Sequence, residues 1–268
     1  MGTNYIAPTW RMPRNANNTP VDKLSNYSID FTGSEYITCD VITQLGNKTQ
    51  ATWSGWFNRS NTASYYIMSS WGFSGTDRQF LVLQTPTRLA VWMGLGQYGN
   101  QRPMFDSSSL TFTTGEWYHI VIVYNESEAS NADKVKVYIN NVVQTNEIAG
   151  SAINFINPVT SPFMIGTIGG YLTNKFQGQI SQVSIFDYAL SVNQRNYLYN
   201  LNNPMAIPGA EPVAYWPLGD NSNPISTAGY PNISVGADSV FNVPSKPGRN
   251  YIETNINNLS DIDVTNKI

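Results

Sequence analysis

The clearest signal in this chain is alternation. Tyr27, Ile29 and Phe31 are apolar, and Ser28 and Asp30 between them are polar, the period-2 pattern of a strand with one face on a core. Gly33-Ser34 turns the chain and Tyr36-Ile37 open the next strand. Residues 52–57 alternate again, with Trp53 and Gly55 on one face and Trp56 on the other. Residues 65–71 and 80–84 read as strands joined by a turn over 72–78, and residues 88–93 as a further strand ending at Gly94. The stretch GLGQYGNQRP, 94–103, reads as a long loop holding Tyr98, Gln101 and Arg102. WYHIVIVY, 117–124, is the longest unbroken β run. It carries bulky groups on both faces, which predicts a central strand covered on both sides. Val135, Val137 and Ile139 then alternate with Lys134, Lys136 and Tyr138. Asn140-Asn141 makes the tight turn into Val142-Val143, because Asn tolerates positive φ. A short apolar strand at 163–166, a Gly-rich turn and polar loop, a strand at 179–186 and a helix signal from Ser191 complete the body. Turn signals at regular intervals between short strands predict an all-β fold, an antiparallel two-sheet sandwich or jelly roll.

The segment Gly178 to Gln194, G-x-I-x-x-V-x-I-F-x-x-A-L-S-x-x-Q, resembles the C-terminal signature of the laminin-G-like, concanavalin A-type jelly rolls. Further marks of that family stand upstream in its order: YSIDFTGSEYI at 27–37, WSGWF at 53–57, GEWYHIVIVY at 115–124 and VKVYIN at 135–140. The resemblance covers about residues 24–200. It implies the sandwich fold and leaves function open, because that fold hosts lectins, adhesion modules, hydrolases and structural parts.

The ends of the chain differ in texture from this body. Residues 1–23 read as an N-terminal arm. Pro8, Pro13, Pro20 and a run of Asn exclude regular structure, yet Tyr5, Ile6 and Trp10 are apolar enough to pack on the domain or on a neighbouring subunit. Residues 24–201 form the jelly-roll domain. Residues 202–268 begin with a Pro-rich connector and read as a β-rich C-terminal extension. Its PVAYWPLGD at 212–220 resembles the opening phrase of another laminin-G-like unit, with Tyr215 and Trp216 as candidate assembly contacts. Too little chain follows for a second sandwich, so its strands are expected on the main domain or on another chain.

Charged residues make up only 12% of the 268 residues and aromatics 13%, so the surface is polar, weakly charged and rich in rings. A net charge of −3 without a basic run excludes electrostatic nucleic-acid binding. No apolar run reaches the length of a membrane span, and the N-terminus lacks the apolar core of a secretory signal peptide. The lone Cys39, in a strand pattern, reads as a small buried hydrophobe.

No constellation for chemistry emerges. Glycoside hydrolysis asks for paired carboxylates on one strand face, whereas Glu35, Asp77, Asp106, Asp187 and Asp220 are scattered, and Glu126 and Glu128 fall in a loop. His119, the only histidine, shares a face with Trp117 and Val121 and reads as a packed core group. No catalytic residue, metal ligand or cofactor is therefore expected. The resemblance implies calcium in many relatives. Here Ser181 and Gln182 replace the acidic pair usual in the family, and Asn140-Asn141 replaces the Asp-Gly of its turn, which removes hard carboxylate ligands and leaves calcium only a site built from Asn carbonyls with Asp106 or Asp133. Carbohydrate recognition needs rings beside planar amides and arginine. The candidate sets are Trp71 and Phe73 with Arg78; Tyr98 with Gln101 and Arg102; and Tyr171 with Asn174 and Lys175. Three functions follow in order of preference. The first is a non-catalytic structural protein on the surface of a bacterial virus, a head decoration, fibre or tail component, as the VAYWPL-plus-laminin-G arrangement resembles. Its partners would be other virion proteins, copies of itself and host glycans. The second is a soluble carbohydrate-binding lectin module, and the third a glycoside hydrolase.

Overall fold

The computed structural model describes residues 28–94 and 101–218 and, beyond them, the strand segments 233–235, 241–243 and 254–256. The alternating strands form two antiparallel sheets packed face to face. The first sheet runs β1 (Ile29–Thr32), β12 (Gln177–Phe186), β3 (Gln50–Arg59), β8 (Trp117–Asn125), β9 (Val135–Ile139) and β10 (Val142–Val143), with β13 (Ala214–Trp216) also on β12. The second runs β14 (Ile233–Val235), β2 (Ile37–Cys39), β11 (Phe163–Ile165), β4 (Tyr65–Trp71), β5 (Arg78–Gln84), β6 (Leu89–Gly94) and β7 (Gln101–Ser107). Among the described residues, β15 (Phe241–Val243) and β16 (Thr254–Ile256) pair with each other. This is the antiparallel jelly-roll sandwich that the alternation predicts.

Alternation places one set of side chains between the sheets. Ile29 and Phe31, Trp53 and Phe57, Phe80 and Val82, Val91 and Met93, and Ile120 and Ile122 form a single buried core. The Trp53 ring of the first sheet stacks on Phe80 of the second, with centroids 4.0 Å apart and planes 3° from parallel. β8 lies between β3 and β9, and all of Ile120 to Tyr124 are buried, as a central strand covered on both faces requires. Cys39 is buried in the core without a disulfide partner, and burial pushes its thiol pKa up. Asn140 and Asn141 both have positive φ, 48° and 64°, the backbone needed for the two-residue turn from β9 to β10.

Two expectations change. The stretch after Gly94 is not wholly loop: residues 101–107 form β7, which pairs with β6 from Leu89↔Ser107 to Gly94↔Gln101. Polar Gln101, Arg102 and Pro103 hid this strand, because β7 ends its sheet and Pro is tolerated on such an edge. Tyr215 and Trp216, named as candidate assembly contacts, are buried within this chain. They lie on β13, hydrogen-bonded to β12 through Val183↔Trp216 and Ser184↔Tyr215. Trp216 is 3% exposed and stacks on Phe163 of the opposite sheet, with centroids 5.2 Å apart. Tyr215 donates from its hydroxyl to Gln182 Oε1 at 3.1 Å. Of the two places expected for the extension's strands, the main domain or another chain, β13 takes the first, and Trp216 joins this chain's own core. β1 covers only the first half of β12, from Gln177 to Ile180, which leaves the second half for β13 to complete. β14 likewise pairs β2 of the same chain. Tyr5, Ile6 and Trp10 lie outside the described residues.

After β12 the chain folds back over the outer face of the first sheet. Ser191 caps α1 (Val192–Tyr199) with a capping box: its hydroxyl accepts from the Gln194 amide, and the Gln194 side chain accepts from the Ser191 amide at 2.9 Å. Thr52 of β3 ties this segment down, donating to the Tyr188 carbonyl at 2.9 Å and accepting from the Leu190 amide at 3.1 Å.

Candidate functional site: an aromatic groove on the second sheet

On the outer face of the second sheet the described residues leave a groove, and alternation decides what stands there. Phe80 and Val82 point to the core, so Leu81 and Leu83 of β5 point out. Val91 and Met93 point in, so Trp92 of β6 points out; Tyr65 and Ile67 point in, so Tyr66 of β4 points out. Register sets them side by side, Leu81 opposite Trp92 and Leu83 opposite Tyr66. They form the floor of a groove of about 510 Å³.

One wall is the loop between β11 and β12, which contributes Ile168, Tyr171 and Thr173. Ser69 pins this loop to β4: its hydroxyl donates to the Thr167 carbonyl and accepts from the Gly169 amide, both at 3.0 Å. The Asn174 carbonyl accepts from the Tyr66 amide at 3.0 Å. Glycine permits so close an approach. A Cβ on Gly169 would stand 2.6 Å from the Trp71 carbonyl oxygen, and one on Gly170, at φ +79°, would stand 2.9 Å from the Phe73 nitrogen.

Arg78 lies at one end. Its guanidinium sits over the Trp71 ring, 5.1 Å from the centroid, and Nη2 donates to the Tyr171 hydroxyl at 3.2 Å. Phe73, 69% exposed, meets Tyr171 edge to face at 4.9 Å on the rim. Arg88 also lines the groove and makes a forked pair with Asp106, Nε to Oδ1 at 2.7 Å and Nη2 to Oδ2. Among the described residues, no carboxylate lines the groove.

Two of the sets picked from the sequence thus meet here: Trp71, Phe73 and Arg78 from one, Tyr171 from another. Trp71 plays a different part from the one expected. It is 2% exposed, packed with Leu81 and Ile168 beneath the arginine, so it supports Arg78 and cannot itself meet a sugar face. The strand irregularity between Ser70 and Trp71 places it under that loop. Asn174 shapes the wall through its carbonyl and φ of 48° and is absent from the lining. Lys175 points elsewhere, donating to the Ser34 carbonyl at 3.0 Å over the Tyr36 ring. Arg102 sits on β7 opposite Met93, outside the groove lining. Tyr98 and the Gln101 side chain lie outside the described residues. Tyr66, Leu83, Arg88, Trp92 and Thr173 were missed by the sequence reading. The outward position of Trp92, between core residues Val91 and Met93, was the one signal that could have found them.

The acids are engaged elsewhere. Glu35 accepts from the Thr32 amide and hydroxyl. Asp187 pairs with Lys48 at 2.8 Å, and Glu128 with Lys136 at 2.9 Å. Burial alone would raise the Asp77 carboxyl, but bonds from Ser161 and Thr160 outweigh it and hold the pKa below its usual value. Hydroxyls of Ser108, Ser109 and Ser107 bring Glu147 down to about 2, which leaves it a poor proton donor. Among the described residues no three His, Cys, Asp or Glu side chains come together as a metal site, and no helix is long and apolar enough to cross a membrane.

His119 lies on the opposite side of the molecule, on the outer face of the first sheet. It packs in a cluster of three rings with Trp56, at 4.8 Å, and Tyr199 of α1, at 6.0 Å, and its Nε2 is 2.9 Å from Ser54 Oγ. Burial brings its pKa to about 3, so the ring is neutral. It is a packing group, as its place beside the tryptophans suggested.

The family model described as the concanavalin A-like lectin/glucanases superfamily (Laminin_G_3) matches residues 31–194, and the chain belongs to that superfamily. Among solved structures, the chain is similar to a protein of Bacteroides ovatus ATCC 8483 to which carbohydrate binding is ascribed, at TM-score 0.60 and 16% identity. The match covers 84% of this chain and 62% of that one, so the chain spans less than two thirds of that relative. A heptameric SAP-like pentraxin from Limulus polyphemus also matches, at TM-score 0.46 and 16% identity, over 80% of this chain and 96% of its own. The sialyllactose-bound CBM40 module of a Ruminococcus gnavus sialidase matches at TM-score 0.45 and 14% identity, over 67% of this chain and 98% of its own. A search of curated proteins finds no sequence match.

Proposed function

We propose that this chain is a non-catalytic carbohydrate-binding module whose site is the groove over β4, β5 and β6. The observation that carries the reading is the composition of that groove. Outward rings of Tyr66, Trp92 and Tyr171 stand beside the donors of Arg78 and Thr173 in one open depression. Rings with an apolar face stack on the C–H side of a sugar, and fixed polar groups beside them meet its hydroxyls. The similarity in fold to the Bacteroides ovatus protein supports the same reading. The engagement of Glu35, Asp77 and Asp187 in bonds of their own speaks for binding over hydrolysis. The test is a broad glycan array read with the full chain and with Trp92→Ala. Binding lost in the variant, with its thermal transition kept, is the expected result; silence of the unmutated chain across the array overturns the reading.

The setting we propose is the surface of a bacterial virus, as a decoration, fibre or tail component in contact with copies of itself and with host glycans. The sequence resemblance supports this setting, and repetition on a particle would strengthen weak individual contacts. Light scattering on the full chain tests it: an oligomer is expected, and a monomer at high concentration counts against assembly.

A further inference from the structure

We propose that the site takes the interior of a linear polysaccharide, with consecutive sugars on Trp92 and Tyr171 in the groove and one more beyond its rim on Phe73, which forms an outer subsite. This rests on the carbohydrate-binding reading above and adds the length of ligand that the site reads.

Three observations carry it. First, exposed apolar side chains are gathered at this rim. Phe73 is 69% exposed, Tyr171 47%, and Leu172, the next residue along the loop, 42%. Large apolar groups left singly in water need no explanation, whereas several together mark a contact surface. Second, the ring surface is continuous with the groove. Tyr171 lines the groove and also meets Phe73 edge to face, with centroids 4.9 Å apart and planes at 61°. A sugar chain that leaves the groove past Tyr171 therefore comes next to Phe73. Phe73 itself is outside the groove lining, so it serves only a ligand longer than the groove. Third, Phe73 is held in place although, among the described residues, it belongs to none of the buried clusters. The turn that carries it is closed by the Gly72 amide, which donates to the Asp77 carbonyl at 2.7 Å, and by the Asp77 amide, which donates to the Ser74 carbonyl at 3.0 Å. The Asp77 carboxylate ties this turn to the 160–161 segment, where it accepts from the Thr160 and Ser161 amides at 2.7 and 3.1 Å. A ring presented on a fixed turn loses little freedom when a sugar covers it, so its burial goes into affinity.

Titration calorimetry on the full chain tests this with the di-, tetra- and hexasaccharides of xylan, laminarin, chitin, mannan and galactan. In a ladder that binds, the hexasaccharide is expected to exceed the disaccharide by more than the roughly fivefold that repeated registers along one chain supply. Phe73→Ala is expected to weaken the hexasaccharide about tenfold and to leave the disaccharide unchanged; Phe73→Trp, which keeps a ring, is expected to retain the hexasaccharide. The loss in Phe73→Ala should be the same at low and high sodium chloride, because the ring carries no charge. A hexasaccharide advantage no greater than the register effect in the unmutated protein overturns the proposal without reliance on any variant's folding. Phe73→Ala that keeps the full advantage also overturns it. A flat ladder together with self-association that Phe73→Ala abolishes would give the rim to a second copy of the chain. If array binding is confined to mono- and disaccharides and every ladder is silent, the outer subsite falls and the groove reading stands; if nothing binds, both fall.

Discussion

The two outer faces of this sandwich begin alike and end differently. On the first sheet, Trp56, His119 and Tyr138 stand outward from β3, β8 and β9. On the second, Tyr66, Leu81, Leu83 and Trp92 stand outward from β4, β5 and β6. The first face is roofed. Tyr199 of α1 lies parallel to Trp56 at 5.9 Å, and the Arg195 guanidinium lies 3.9 Å from the centre of the Tyr138 ring. Phe186, Leu190, Leu198 and Ile207 form a second small core beneath the same segment. Among the described residues, the second face has only the 166–176 loop along one side of the groove. Rings under a roof contribute to stability, and rings beside an open depression are available to a ligand. The same residue types therefore serve folding on one side and, as we propose, recognition on the other.

This contrast can be broken experimentally, and the largest effect is expected on the roofed side. Trp56→Ala removes a ring stacked between strand and helix and should destabilise the fold by about 3–5 kcal/mol, read by urea denaturation. A value under about 1 kcal/mol would mean that the roof does not depend on it.

The next effect is one of pH. His119 has a folded pKa of about 3 against about 6.5 when unfolded, so the unfolded chain takes up the proton first. Its contribution is complete above about pH 6.5, declines as the pH falls, and is lost toward about pH 3. At pH 5 the loss should be about 2 kcal/mol. His119→Gln should flatten that part of the profile; an unchanged slope would place the acid sensitivity on other groups.

On the open side, Trp92→Ala should act on binding more than on folding. We expect at least a tenfold loss of glycan affinity with a stability change of about 1 kcal/mol, since the ring is only partly covered. A large fall in melting temperature would show the two faces to be less distinct than their burial implies. The smallest effect is expected from Ser191→Ala, which removes the cap of α1. It should cost about 1 kcal/mol, with glycan binding unaffected. Loss of binding in that variant would couple the roof to the groove across the sandwich.

Legibility followed the range of the interactions. The strands of the sandwich could be read from period-2 alternation, and the Asn140-Asn141 turn and the Ser191 cap from local backbone chemistry. β7 could not, because an edge strand with Pro103 and polar neighbours lacks that alternation. The candidate site was half legible. Arg78 and Tyr171 were named, but as members of separate loops 93 residues apart, and the Arg78–Tyr171 bond joins them only in the fold. Trp71 was chosen for being aromatic near a turn, yet the loop carrying Ile168 buries it. Tyr215 and Trp216 were named as candidate assembly contacts, with their strand left between the main domain and another chain, because a motif seen alone does not reveal that half of β12 is open to β13.

The sequence by itself determined the class of fold and which side chains leave each strand on which side, since both follow from a strand's two-residue repeat. It also set the low charge and the abundance of rings. Tertiary structure alone decided which of two aromatic faces the returning chain covers, and where the extension finds its sheet. Those outcomes depend on contacts between residues far apart in sequence, and no local pattern records them.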